Sequence, residues 1–210
     1  MKPSSIFMKV IMAITGLLWL GFVISHLSAN LVMYAGPTTF NAYPEMLRKF
    51  GVLLWVAEAG LVVLLASHVF SAIRLTSLNK GARPREYEAK ATQGKATFAS
   101  RSMIVGGLIL LIFLVTHIWM FKFGDWSGEH GLWGLVMRTF ENPLMVAWYV
   151  LAMLALGLHL SHGFGSAFQT LGIFKPAWRK LLWRVGAGVG WLIAVGFATI
   201  PIWAFMSKGS

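Results

Sequence analysis

"SMIVGGLILLIFLVTHIWMFKF", residues 102–123, runs for twenty residues between Arg101 and Lys122 without a charge. At 1.5 Å per helical residue such a run is about 30 Å long, the thickness of a bilayer's hydrocarbon core. Working outward, four further stretches reach that length, at about 7–34, 51–74, 144–170 and 185–206. Lipid cannot satisfy the open edge of a strand and five spans do not close a barrel, so each stretch is expected to be a helix. Composition agrees. The 210 residues are 57% hydrophobic and 12% charged, with a mean hydropathy of +0.70, whereas soluble domains carry roughly twice that charge. No repeat, low-complexity tract or soluble domain is visible. Residues 1–210 therefore read as one all-α integral membrane domain, a five-helix transmembrane bundle.

Lys2 and Lys9 precede the first run and Ser28-Ala29 offers a weak cleavage context, but the run exceeds the 7 to 15 residues of a signal-peptide core, so it reads as a retained span. The net charge of +11 is distributed asymmetrically. Lys2, Lys9, Arg74, Lys80, Arg83, Arg85, Lys90, Lys95, Arg101, Lys175, Arg179, Lys180 and Arg184 fall on one side of an alternating topology. Arg48, Lys49, Lys122, Arg138 and Lys208 fall on the other. The positive-inside rule then puts the N-terminus and the 75–101 and 171–184 loops in the cytoplasm and the C-terminus outside, as in a bacterial-type inner membrane. This pattern makes a nucleic-acid partner unnecessary. The outer loops, "AGPTTFNAYPEMLRKF" and "GDWSGEHGLWGLVMRTFENP", are rich in Gly, Pro and aromatics, and Trp126, Trp133, Trp178, Trp183 and Trp203 stand where interfacial anchors stand. There is no cysteine, so thiolate ligands, iron-sulfur clusters and covalently attached haem are excluded within this chain.

The first four spans carry one matched histidine each: His26, His68, His117 and His159. Each lies about 15 to 17 residues, roughly 23 to 26 Å, after its helix enters the membrane. Because successive helices alternate in direction, His26 and His117 fall near the outer face, and His68 and His159 near the cytoplasmic face. Two neutral imidazoles facing each other across a bundle are the axial ligand set of a six-coordinate b-type haem, which leaves no open position for substrate. Two haems b between the first four helices are thus expected. Small residues that could make room are Gly21 and Ser25 beside His26, Ser67 and Ser71 beside His68, Gly106 and Gly107 on the third span, and Gly157, Ser161, Gly163 and Gly165 around His159. Ordinary helix packing would use the same residues. His162, one turn beyond His159, competes with it as a ligand; depth matching to His68 favours His159 and leaves His162 near a propionate edge or the interface. Arg74 and Arg101 are candidate partners for propionates, and positive-inside anchoring explains them equally well. His130, in a glycine-rich outer loop, reads as solvated.

"SHLSANL" around His26, "EAGLVVLLASH" from Glu58 to His68, "LTSLNKGARP", "FLVTHIWMF" around His117 and "HLSHGFGSAFQTLG" together resemble the di-haem cytochrome b membrane anchor of succinate:quinone oxidoreductases, that is, succinate dehydrogenase or fumarate reductase. The likeness covers nearly the whole chain. It implies two haems b, held by His26 with His117 and by His68 with His159, and a site for menaquinone or ubiquinone. It also implies docking to an iron-sulfur subunit and an FAD-containing flavoprotein on the cytoplasmic side, with no dicarboxylate chemistry in this chain. In one branch of the family an acidic residue stands two positions before the fourth ligand; here that position is Gly157.

Glu58 is the one acid deep in a span, ten residues or about 15 Å outward of His68, near the level of the outer pair. Intramembrane acids are functional candidates, and Glu58 is the candidate for proton exchange with quinone. A neutral glutamic acid bonded to a neighbouring helix would explain it as well. Two alternatives remain: the cytochrome b anchor of another respiratory dehydrogenase, such as a hydrogenase or formate dehydrogenase, and a haem-free ion transporter, which would need carboxylates beside its histidines.

Overall fold

The structure is a computed structural model that describes residues 4–81 and 102–207. Seven α-helices and no strand occur among these residues. Helix α1 (Ser5–Leu31) is prolonged by a 3-10 turn, Val32–Ala35; α2 (Pro37–Arg48), α3 (Val52–Gly81) and α4 (Met103–His117) follow. A π turn, Ile118–Lys122, continues α4, and α5 (Gly131–Phe140), α6 (Pro143–Leu171) and α7 (Arg179–Met206) complete the chain. Five of them, α1, α3, α4 together with its π turn, α6 and α7, are long and apolar enough to cross a membrane. This is the build of a multi-pass membrane protein.

Side-chain and glycine signals set the helix ends. Ser4 caps α1 by accepting from Phe7 N–H at 3.1 Å, and Asn142 caps α6 by accepting from Leu144 N–H at 2.9 Å ahead of Pro143. Gly172, at φ +67°, closes α6 in the left-handed conformation that a side chain would disfavour. Two spans are longer than the apolar runs suggest. Helix α3 continues past residue 74 to Gly81, and α7 begins at Arg179 instead of 185, taking Arg179, Lys180 and Arg184 into its first turns. Hydropathy measures the hydrocarbon layer, whereas a helix can run on into the interface, where charged side chains reach water. Arg101 and most of the 75–101 loop lie outside the described residues.

The two outer loops contain helices. Gly36, at φ +92°, turns the chain into α2, whose first residue is Pro37. Helix α5 buries Gly134, Val136 and Phe140. Phe40, Val136 and Phe140 join Met33, Tyr149, Ile200 and Ala204 in a hydrophobic core at this end of the bundle, called the capped end below. Asn41 ties the cap together: its Nδ2 donates to His130 O at 2.7 Å and its Oδ1 accepts from Trp133 N–H at 3.0 Å. Two tryptophans expected as interfacial anchors are bonded inside the fold. Trp133 Nε1 donates to Met33 O at 3.3 Å and Trp126 Nε1 to Phe121 O at 2.8 Å, with the Arg48 guanidinium 4.3 Å above the Trp126 ring. On the same loop the hydroxyl and N–H of Ser127 hold the Asp125 carboxyl below the usual carboxylate range.

The opposite end, called the basic end, carries Lys9, Arg74, Lys175, Arg179, Lys180 and Arg184. Helices α6 and α7 make the most extensive pair; α1 packs on α3, α6 and α7, and α4 packs on α6. Glycines set the α6–α7 approach. A Cβ on Gly157 would lie 2.8 Å from the Trp191 ring, and one on Gly165 2.8 Å from the Trp183 ring. A Cβ on Gly190 would lie 2.9 Å from Ser161 N. Gly157 and Gly165 therefore serve the contact with α7, and the room they were expected to provide beside His159 is not theirs to give. By contrast α4 buries no residue completely, and α3 buries only Ser71 and Leu75 among its described side chains.

Candidate functional site

The four matched histidines meet as two pairs, each across a diagonal of the bundle. His26 on α1 and His117 on α4 stand toward the capped end with ring centroids 5.9 Å apart and planes at 89°. His68 on α3 and His159 on α6 stand toward the basic end, 6.3 Å apart at 61°. Within each pair the two helices are alternate spans and run in the same direction, and His68 and His159 each stand 16 residues past the first residue of their helix.

Each pair has one imidazole fixed by a neighbour through Nδ1. His68 Nδ1 lies 3.2 Å from Met12 O and 3.2 Å from Thr15 Oγ1, both on α1. The Thr15 hydroxyl lies 2.8 Å from Ile11 O, to which it donates, so its oxygen is available to accept from the histidine. His117 Nδ1 lies 3.2 Å from the hydroxyl of Tyr149, which is 6% exposed and packed among Phe113, Phe121 and Phe140. The other two rings are held by packing. His26 stacks on Phe22 at 5.3 Å and touches Phe197. His159 Nδ1 is buried without a hydrogen-bond partner.

Glycine leaves room at the basic-end pair. A Cβ on Gly16 would come within 3.3 Å of His68 Cε1, and one on Gly107 within 3.7 Å of His159 Cε1. An open groove of about 220 Å³ between α4 and α6 reaches His159, lined by Gly106, Ile109, Leu151, Ala155 and Leu158 among others. Among the described residues no three His, Cys, Asp or Glu side chains gather closely enough to hold a bare metal ion; the donors come in twos.

His162 turns away from His68. Its ring lies 5.2 Å from that of Trp183 on α7, and its Nε2 is 3.1 Å from Ser166 Oγ one turn along. The helix therefore presents His159 to His68 and His162 to α7. His130 is half exposed, at φ +64° ahead of α5, with its ring near Glu129 and Trp133. Arg74 lies on the last turns of α3, beyond His68. Glu58 pairs with Lys122 at the rim of the capped end, where Lys122 also lies 5.1 Å from the Trp55 ring. The acid read from the sequence as a lone intramembrane group thus has a cation for a partner, and that cation ties α3 to the π turn after α4.

Thr15, Met12 O, Tyr149 and Lys122 are the site residues that sequence reasoning missed. Tyr149 could have been found. It precedes His159 by ten residues on α6, and the rise that levels Glu58 with the outer pair levels Tyr149 with it too. Neither a family model, nor a curated protein, nor a solved structure matches the chain.

Proposed function

We propose that the chain is the di-haem membrane anchor and electron-transfer subunit of a succinate:quinone oxidoreductase, passing electrons between an iron-sulfur subunit and membrane quinone. The observation that carries this reading is the meeting of four histidines as two diagonal pairs, with ring centroids 5.9 Å and 6.3 Å apart. Imidazole nitrogens lie roughly 2 Å from the transition metals they bind, so rings on opposite sides of one iron have centroids about 6 Å apart. Both pairs fit that spacing. The donor chemistry fits as well: an imidazole that ligates a metal usually gives its other N–H to a neighbouring acceptor, and with Nδ1 protonated His68 would give its N–H to Met12 O and Thr15 and His117 would give its own to Tyr149. Gly16 and Gly107 keep the basic-end pair clear of side chains.

Six-coordinate haem b bound at each pair would carry one electron at a time and offer substrate no coordination position. The protein's part is to hold four neutral imidazoles at two depths and to keep water from them. Charge asymmetry supports a cytoplasmic basic end, and with it docking of the iron-sulfur subunit and its flavoprotein there, with the C-terminus outside. Glu58, on the capped side, is the proposed proton-exchanging group for menaquinone or ubiquinone, and Lys122 is the partner it would have to leave to reach a quinone oxygen.

The test is an optical spectrum and haem count of the purified full-length chain, followed by single-histidine variants. Two haems b per chain are expected. His26→Ala or His117→Ala should lose one, His68→Ala or His159→Ala the other, and His162→Ala neither. A reduced spectrum without a b-type band would refute the reading. The anchor of another respiratory dehydrogenase would share both pairs, and the soluble subunits that co-purify tell the two apart.

A further inference from the structure

Resting on that functional reading, we infer that Tyr149 and Thr15 are positioning residues that tune the two centres separately, Tyr149 through His117 and Thr15 through His68. Each hydroxyl meets the Nδ1 of one histidine in one pair only, at 3.2 Å in both cases. Among the described residues no hydrogen bond joins the two hydroxyls, which lie on different helices toward opposite ends of the bundle. Of the partner histidines, His159 has its Nδ1 buried without a hydrogen-bond partner and His26 is stacked on Phe22, so the hydroxyl handle on each pair is one-sided.

The two handles differ in kind. Tyr149 is the sole hydrogen-bond partner of His117 Nδ1 among the described residues, and its oxygen is weakened as an acceptor by conjugation with the ring. His68 Nδ1 has two acceptors, the carbonyl of Met12 and the hydroxyl of Thr15, so losing Thr15 leaves a stronger acceptor behind. An N–H that donates to an acceptor makes its imidazole a better electron donor at the other nitrogen. Better donation favours the oxidised form of whatever metal that nitrogen holds. Removing the acceptor should therefore raise the reduced-to-oxidised ratio of that centre at a fixed ambient potential, and the effect should be larger at the outer pair.

The experiment is a redox titration of the full-length chain, monitored in the b-type band, with the two centres assigned from the single-histidine variants. Tyr149→Phe keeps the ring that packs on Phe113 and Phe140 and removes only the hydroxyl. It should raise the reduced-to-oxidised ratio of the outer centre by about two- to tenfold, the worth of one hydrogen bond; tenfold corresponds to about 59 mV for one electron. Thr15→Val should move the inner centre alone, by a smaller factor. Tyr34→Phe removes a tyrosine hydroxyl bonded to Thr199 at the same end of the bundle and should move neither. If both haems are present and Tyr149→Phe shifts neither centre, or both equally, the inference fails and the functional reading survives. Absence of the b-type band overturns both. Should Tyr149→Phe not accumulate, Thr15→Val decides alone, and an unmoved inner centre overturns the inference.

Discussion

Gly190→Ala adds one methyl group where α7 lies closest to α6. That Cβ would sit 2.9 Å from Ser161 N and 3.1 Å from Gly157 O and Leu160 Cβ. Two of these atoms are helix backbone and cannot swing aside as a side-chain tip can. Ordinary contact needs about half an ångström more, and a gap of roughly that size forfeits about a quarter of the dispersion attraction between facing atoms. Overpacking of this kind typically costs about 1–3 kcal/mol. Alanine's better helix propensity returns up to about 1 kcal/mol, so the net loss should be about 1–2 kcal/mol, a fall of roughly 2–8 °C in Tm for a chain of this size. Thermal unfolding in detergent, followed by helical circular dichroism, measures it. Gly188→Ala is the matched control, since a Cβ there meets nothing within 4 Å, and it should be neutral or slightly stabilising. Equal Tm values for the two variants would refute the packing argument.

A cysteine-free background makes sidedness testable: a cysteine replacing Ser77, on the last turns of α3, should resist an impermeant thiol reagent in intact cells, while one replacing Ser207 should react, and reversed labelling would invert the proposed orientation. Lys122→Met strands the Glu58 carboxylate at the rim and should destabilise the protein in the same unfolding assay more than the double variant Glu58→Gln/Lys122→Met does, because removing one member of a pair leaves its partner's charge uncompensated; equal losses would show that the pair is not coupled. Glu58→Gln alone should keep both haem bands and slow quinone-coupled turnover while electron transfer from succinate to an artificial acceptor at the soluble subunits continues, and unchanged quinone turnover would remove Glu58 from the proposed mechanism.

The five spans were legible because a bilayer imposes one length on every apolar run. The levels of His26, His68, His117 and His159 were legible because helical rise converts sequence position into depth. Rotation about the helix axis was harder to read. That His159 faces His68 while His162 faces Trp183 depends on which side of α6 receives α7, and Gly157 and Gly165 decide it by admitting the rings of Trp191 and Trp183. The same glycines read equally well as room for a cofactor. Partners far apart in sequence were invisible for a related reason: nothing near Glu58 announces Lys122, and nothing near His68 announces Met12 and Thr15. Helices α2 and α5 hid behind glycine, proline and aromatic residues, which signal loops when counted but here form cap turns and a buried amphipathic face.

The extensive α6–α7 contact also orders the birth of the protein. The chain emerges from the ribosome N-terminus first, at about 5–20 residues per second, so α1 and α3 reach the membrane well before the pair against which α1 finally packs. For several seconds α1, α3 and α4 wait for that pair, with Met12, Thr15 and His68 already in reach of one another along the α1–α3 contact. The last hairpin then delivers His159 to the inner pair and Tyr149 to the outer one. A nascent chain that stalls before Pro143 thus holds both histidines of the outer pair and only one of the inner, and surveillance proteases would meet three loosely joined spans with little buried surface to resist extraction.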